Sequence, residues 1–167
     1  MTLLSLDIGP ESPDLAPAID KLHERAFGPG RFARSAFRLR EGVAPLPELS
    51  FVAKVATLLV GSVRLTPIRI GTAPALLLGP LTVEPAFMGR GIGSTLMERS
   101  IAAAREGQHA LILLVGDEPY YGRFGFRRVP PGRIAMPGPV DPARVLICEL
   151  QPGAFVDVSG PANPGGL

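Results

Sequence analysis

The stretch Leu78-Gly79-Pro80-Leu81-Thr82-Val83-Glu84-Pro85-Ala86-Phe87-Met88-Gly89-Arg90-Gly91-Ile92-Gly93-Ser94-Thr95-Leu96-Met97 decides how this chain is read. An apolar run ends at Pro85. A glycine-rich turn follows at Gly89, Gly91 and Gly93, and an amphipathic helix opens at once. The first amides of a helix have no partner inside it, and the helix dipole adds partial positive charge there, so such a turn receives phosphate or pyrophosphate. Arg90 adds a fixed cation. The stretch therefore predicts a site for a phosphate-bearing cofactor.

Outward from the turn, the pattern alternates between strands and helices. A helix is expected over 92–106. Ile92, Leu96, Ser100 and Ala103 share its inner face with Met97 and Ile101 beside them, and Gly107 ends it. Residues 110–115 are apolar throughout, as in a strand buried on both faces. Strand, helix and strand in that order predict a parallel pair with a right-handed crossover. Upstream, strands over 49–55, 58–69 and 73–83 suggest an antiparallel meander, with Gly61, Gly71 and Pro74 at turns or bulges. The chain opens with a strand over 3–8. A helix capped by Ser12, with Pro13 at its first position, runs through Leu15, Ile19, Leu22 and Ala26 to the breaker at 28–30. A short helix over 31–40 carries Arg31, Arg34 and Arg38 on one face, read as solvated, with a lid over an acidic ligand as the alternative. Downstream, a short helix from Gly116 carries both tyrosines, a strand covers 125–129, and a proline-rich connection at 130–142 precedes a last strand at 144–150. One domain is expected over 1–158. The Gly/Pro-rich end, 159–167, has little apolar area to bury and is expected to be a flexible tail.

Composition bounds the function. The chain has 167 residues, 46% hydrophobic, and a net charge of +2 that comes from a small arginine excess, with Lys21 and Lys54 its lysines. A clustered basic face with aromatics is missing, which argues against nucleic acid. No apolar run approaches the ~18 residues of a membrane span, and the start has no signal-peptide pattern, so no membrane partner and a cytoplasmic location are expected. Cys148, the single cysteine, excludes an internal disulfide and reads as a core residue. No metal is expected, since no His/Cys/Asp cluster has ligand spacing. His23 and His109 read as structural or solvent-facing, and no Gly-x-Ser-x-Gly elbow is present.

Three kinds of glycine turn compete for the motif. No lysine follows any glycine, which excludes a P-loop. A dinucleotide fingerprint needs its glycines directly after the strand, whereas Glu84 to Met88 intervene. The third is set by context. Leu81-x-Val83-x-Pro85 before Gly89-Arg90-Gly91-Ile92-Gly93, with Tyr121-Gly122-Arg123-Phe124-Gly125-Phe126 after the next strand, resembles the GCN5-related N-acetyltransferase (GNAT) superfamily. Leu78-Gly79-Pro80-Leu81 and the run from Val115 to Phe126 are similar to its YhbS-like group.

The resemblance implies an α/β fold of the acyl-CoA N-acyltransferase kind: a mixed, mostly antiparallel sheet with a central splayed parallel pair, here 76–83 and 110–115. It implies acetyl-CoA as cosubstrate. Backbone groups of Leu81, Thr82 and Val83 would pair with the pantetheine arm, and amides of Gly89, Arg90, Gly91, Ile92, Gly93 and Ser94 would hold the pyrophosphate. Gly91 and Gly93 would matter because a Cβ keeps phosphate oxygens away. Tyr121 takes the place of the general acid that protonates the departing thiolate, with Tyr120 second because it is expected to point elsewhere. The N–H of Leu81 or Val83 would meet the oxyanion. Glu84 is a candidate base, against its reading as an exposed acid. Met88 stands where the family has Gln or Arg, and the family's Asn after the fifth strand has no counterpart. The implied activity is direct transfer of acetyl to a primary amine of a small molecule, an amino acid, an antibiotic or a protein N-terminus, with 25–45 and 130–142 setting the choice. A non-catalytic CoA-binding sensor and a nicotinamide-dependent oxidoreductase are the rivals, and homodimerisation through the last strand or the proline-rich connection stays open.

Overall fold

A long central hairpin organises the fold. In a computed structural model that describes residues 5–27 and 35–165, β3 (Leu58–Ile70) and β4 (Ala73–Val83) pair antiparallel around Gly71, whose φ of 60° is glycine territory. β2 (Phe51–Val55) pairs with the first half of β3, and β1 (Leu6–Pro10) with β2. From β4 the chain passes through α3 (Ile92–Glu106) and returns as β5 (Leu111–Val115), parallel to β4 at Leu76↔Ile112 and Leu77↔Leu113. β8 (Val145–Glu149) and β6 (Arg127–Arg128) extend that side, giving the order β1-β2-β3-β4-β5-β8-β6. This is the mixed, mostly antiparallel sheet with a central parallel pair that the sequence implied.

Both faces of the sheet are covered, so its strands alternate between two cores. Ala53, Leu76, Ile112 and Leu146 face α3, where Ile92, Leu96, Met97 and Ile101 pack. Val52 and Leu59 lie under α1 (Ala16–Phe27) at Ile19 and Leu22, and Ile68, Leu77, Leu113 and Ile147 lie with Leu39 of α2 (Ser35–Arg40). Ser100, on the buried face of α3, donates from its hydroxyl to the Leu49 carbonyl at 2.7 Å, which removes the cost of burying it. Among the described residues no helix is long and apolar enough to cross a membrane.

Several local expectations shift. Ser12 does not cap the first helix: its hydroxyl donates to Asp14, and one 3-10 turn, Pro13–Leu15, precedes α1. Residues 47–49 form a 3-10 turn ahead of β2. Arg38 is not merely solvated, because its Nη1 donates to the Pro137 carbonyl at 2.9 Å and ties α2 to the proline-rich connection. Leu3, Leu4, the breaker at 28–30, Arg31 and Arg34 lie outside the described residues.

The largest correction concerns the tail. Residues 144–150 do not supply the last strand, for Gly160–Pro164 forms β9. It pairs antiparallel with β3 at Ile68↔Pro164, Arg69↔Asn163 and Ile70↔Ala162, and parallel with β7 (Ile134–Ala135). Five-residue β2 leaves the far half of the β3 edge open, and β9 fills it. Apolar area was the wrong criterion: backbone hydrogen bonds and close approach hold this segment. A Cβ on Gly71 would lie 2.3 Å from the Ser159 carbonyl oxygen, and one on Gly165 2.6 Å from the Ile68 backbone. Arg133 stacks 4.2 Å over the Phe155 ring and donates to the carbonyls of Phe155, Val156 and Val158, fixing the approach to β9.

Candidate functional site

The parallel pair holds together for two residues and then parts. Across β3 and β4 the register steps from Leu65↔Leu78 to Val63↔Leu81, so β4 carries one extra residue at Gly79 and Pro80. Gly79 has φ 130°, and the Gly79-Pro80 peptide is cis. Such a bulge bends its strand and flips the side-chain alternation. It explains why Leu76 and Leu78 before it, and Leu81 and Val83 after it, all face the same core. Beyond the bulge β4 stays with β3 and leaves β5. A cleft of about 1520 Å³ opens there, between Leu78, Leu81 and Val83 on one side and Leu114, Val115 and Gly116 on the other.

The direction of the backbone groups on the β4 wall follows from one bond. Glu84 N donates to Val60 O at 2.8 Å. Antiparallel pairing alternates, so Thr82, two residues back and opposite Ser62, also spends its backbone groups on β3. Leu81 and Val83 therefore turn theirs toward the splay. The Thr82 side chain is 2% exposed on the opposite face, outside the cleft lining.

At the end of this wall a 3-10 turn, Pro85–Phe87, leads into the glycine turn. Gly89 and Gly91 have φ of 80° and 79°, and no atom lies within 4 Å of a Cβ built on either. Gly91 is the N-cap of α3, and no side chain caps the helix. Thr95 N, bonded to Gly91 O at 3.1 Å, begins the helical ladder, so the amides ahead of it have no partner within the helix. Gly93 has a different role from the expected one. A Cβ there would lie 3.3 Å from the Tyr120 hydroxyl and 3.6 Å from Val83 Cγ2, so this glycine lets α3 approach the wall.

On the β5 side, α4 (Glu118–Tyr121) brings both tyrosines to the cleft, with ring centres 4.8 Å apart, edge to face. Tyr120 thus does not point elsewhere: its hydroxyl reaches the first turn of α3. Tyr121 is half-buried against Gly116, where a Cβ would lie 2.3 Å from its Cε2. Burial pushes its phenol up to about 12, with Tyr120 and Asp117 adding to the shift. A slot with uncapped amides at one end, unpaired strand groups along one wall and a protonated phenol on the other suits an extended, phosphate-bearing ligand whose reactive end lies inside the sheet.

Comparison with known proteins agrees. Residues 47–128 match the family model for the acetyltransferase (GNAT) domain. The structure superposes on YhbS, a GNAT N-acetyltransferase from Escherichia coli in complex with CoA, with a TM-score of 0.82 and 25% identity over 98% of this chain and 92% of that one. Residues 47–128 thus form a GNAT domain. A second GNAT acetyltransferase, from Brucella melitensis in complex with acetyl-CoA, aligns with a TM-score of 0.64 and 29% identity over 92% of this chain and 99% of that one. Over 115 residues the chain is 30% identical to the uncharacterised N-acetyltransferase YjhQ of Escherichia coli (strain K12), covering 66% of this chain and 64% of that protein, so the match spans under two thirds of that relative.

Around this GNAT domain the remaining candidates fall in different places. Ile92 is buried under the turn and Ser94 lies beside it, both in the cleft lining, while Arg90 is exposed with its guanidinium 4.9 Å over the Phe87 ring. Met88 is 67% exposed at the cleft mouth. Glu84 is bound by Arg25 (Nη2 at 2.7 Å, Nε at 2.8 Å), which ties β4 to α1, and it lies outside the lining. Cys148 is core, its thiol pushed up by burial. His23, on α1, is buried and lines the cleft.

Reading the sequence alone missed Arg123. Its Nη2 donates to Ser94 Oγ at 3.1 Å and its Nε to Tyr120 O at 3.3 Å, while the guanidinium stacks 4.7 Å over the Tyr120 ring. It sets a cation beside the α3 amides, a place Arg90 does not fill. Its position inside the Tyr121-Gly122-Arg123-Phe124 motif was the available signal.

Proposed function

We propose that this protein transfers the acetyl group of acetyl-CoA to a primary amine. The observation that carries this reading is the slot between β4 and β5, with uncapped α3 amides at its mouth and Tyr121 on its inner wall. Acetyl-CoA supplies an activated thioester, which the acceptor amine attacks directly.

The amides of residues 89–94 hold the pyrophosphate, assisted by Arg123. The backbone of Leu81 and Val83 pairs with the pantetheine amides as an added strand would. One of their N–H groups, aimed into the splay, meets the carbonyl oxygen as negative charge develops on it. Tyr121 faces the departing sulfur. A phenol held near 12 keeps its proton at any working pH. An ordinary thiol ionises near ~8.5, so full transfer from this phenol is uphill, and Tyr121 acts first as a hydrogen-bond donor that steadies the thiolate. The Arg25 pairing leaves Glu84 poorly placed as a base.

The test is thiol release from acetyl-CoA over a panel of amines, with acetyl-CoA binding measured separately by calorimetry. Turnover that Tyr121→Phe removes while binding persists is the expected result. Binding with no turnover on any amine would instead support a sensor domain. Thermal stabilisation by NAD(P)H in preference to acetyl-CoA would overturn the assignment.

A further inference from the structure

The slot has a far end lined by side chains of α1, α2 and β3, and a near end where α4 meets the first turn of α3. Tyr120 belongs to the near end, and its ring and its hydroxyl are held differently. The ring is clamped. Tyr121 meets it edge to face, the Phe124 ring lies 5.7 Å away, and the Arg123 guanidinium stacks 4.7 Å over it. Arg123 also donates to the Tyr120 carbonyl and to Ser94 Oγ, so one side chain ties this ring to α3. The hydroxyl projects beyond that packing. A Cβ on Gly93 would lie 3.3 Å from it, with Val83 Cγ2 at 3.6 Å and Leu81 Cδ2 at 4.0 Å. It occupies the corner where the first turn of α3 meets the β4 wall.

The packing makes no use of that hydroxyl. Among the described residues no hydrogen bond reaches it, and Tyr120 is 36% exposed in the slot lining. Phenylalanine would make the same ring contacts. Gly93 is its complement, since any side chain there would crowd the oxygen. A donor fixed in place before its acceptor arrives loses little freedom on binding.

We propose that Tyr120 is a cosubstrate-binding residue whose hydroxyl donates to a diphosphate oxygen held by the first-turn amides of α3. This rests on the acetyltransferase reading above. A hydrogen bond from a hydroxyl to an anionic oxygen is short and roughly twice as strong as a neutral one. Backbone amides alone accept a phosphate at several places along the turn, whereas a phenol from a second element fixes where it sits. Tyr120 and Tyr121 are consecutive on α4, so one short helix carries a contact to the diphosphate and a contact to the sulfur. Seating the first positions the second at the thioester.

The experiment removes the hydroxyl with Tyr120→Phe, which keeps the ring and its stack on Arg123. Calorimetry on the full chain compares CoA with dephospho-CoA, which retains the diphosphate and lacks the 3′-phosphate. Both should bind roughly tenfold more weakly to the variant. Thiol release then compares acetyl-CoA with acetyl-pantetheine, which carries no phosphate. The variant's kcat/KM should fall with acetyl-CoA and stay within about twofold of wild type with acetyl-pantetheine, as expected for a lost phosphate contact. Equal losses with both donors would make Tyr120 a support for α4 and overturn the proposal. So would an unchanged CoA Kd, or a loss confined to CoA and absent with dephospho-CoA. Each of these outcomes leaves the transferase reading standing, and the calorimetric comparison needs no turnover. Failure of wild type to bind CoA would overturn both.

Discussion

The two ends of the slot recognise by different means. On the α3 side most groups turned to the opening are backbone, the amides of residues 89–94 and the Leu81 and Val83 edge beyond the bulge, with the Arg123 guanidinium beside them. The backbone groups come from one stretch of chain. On the α1–α2 side they are side chains, brought from two helices, from β3 and from the segment between Asp117 and Arg144. Main-chain recognition demands φ values that only glycine meets cheaply and a free helix end, so it leaves a spaced pattern in the sequence. Side-chain recognition demands convergence, and any one of its residues is an ordinary surface charge when read alone.

Four perturbations sharpen or break that contrast. Tyr121→Phe, which keeps the packing on Gly116, should lower kcat by roughly 10²–10⁴-fold with the acetyl-CoA Kd unchanged. A parallel loss of affinity would place Tyr121 in binding rather than in chemistry. Removing β9 by ending the chain at Val158 acts on the β3 edge and the core beneath α2, away from the α3 amides. It deletes the bonds Gly71 N to Pro161 O at 2.9 Å and Gly165 N to Pro67 O at 3.0 Å, along with the buried Ala162. A cost of about 3 kcal/mol is expected, seen as a melting temperature lower by roughly 6–12 °C. Acetyl-CoA affinity per folded molecule should survive, whereas a loose tail would make the truncation silent.

The same phenol gives a pH test of similar size. In the folded chain Tyr121 sits near 12, above the ordinary 10. The folded state thus holds this proton to higher pH than the unfolded one. Stability from this group is complete below pH 10 and declines as pH rises from 10 through 12, by up to about 3 kcal/mol. Melting curves between pH 9 and 12 should show the decline in wild type and a shallower one in Tyr121→Phe. Gly91→Ala is the smallest change. Its Cβ meets nothing within 4 Å, so the cost is conformational, about 1–2 kcal/mol for a left-handed residue. Acetyl-CoA binding should weaken roughly tenfold, while the relative preference among acceptors stays put. A change in acceptor preference would break the separation between the two ends.

Legibility in the sequence tracked the range of the interactions. Helix 92–106 was readable to the residue, because an apolar stripe at helical spacing and a terminal glycine are local. The strands on either side were readable to within one or two residues at each end. The bulge was not, since Gly79 and Pro80 resemble any turn until the β3 register shows that β4 stays paired across them. For the same reason Thr82 looked equivalent to Leu81 and Val83, although the pairing turns its backbone toward β3. Tyr120 and Arg123 were visible in the motif, but α4 is too short for its periodicity to say which way each points.

From its residues alone the chain determined an uncapped, glycine-lined helix start after an apolar strand, and hence a place for phosphate, because both depend on dihedral angles and spacing within some twenty positions. Where that strand leaves its parallel neighbour, which amides turn into the opening, how 160–164 closes the β3 edge and which charges gather at the far end were decided only in three dimensions. Each of these depends on registers and approaches between segments that the chain order keeps apart.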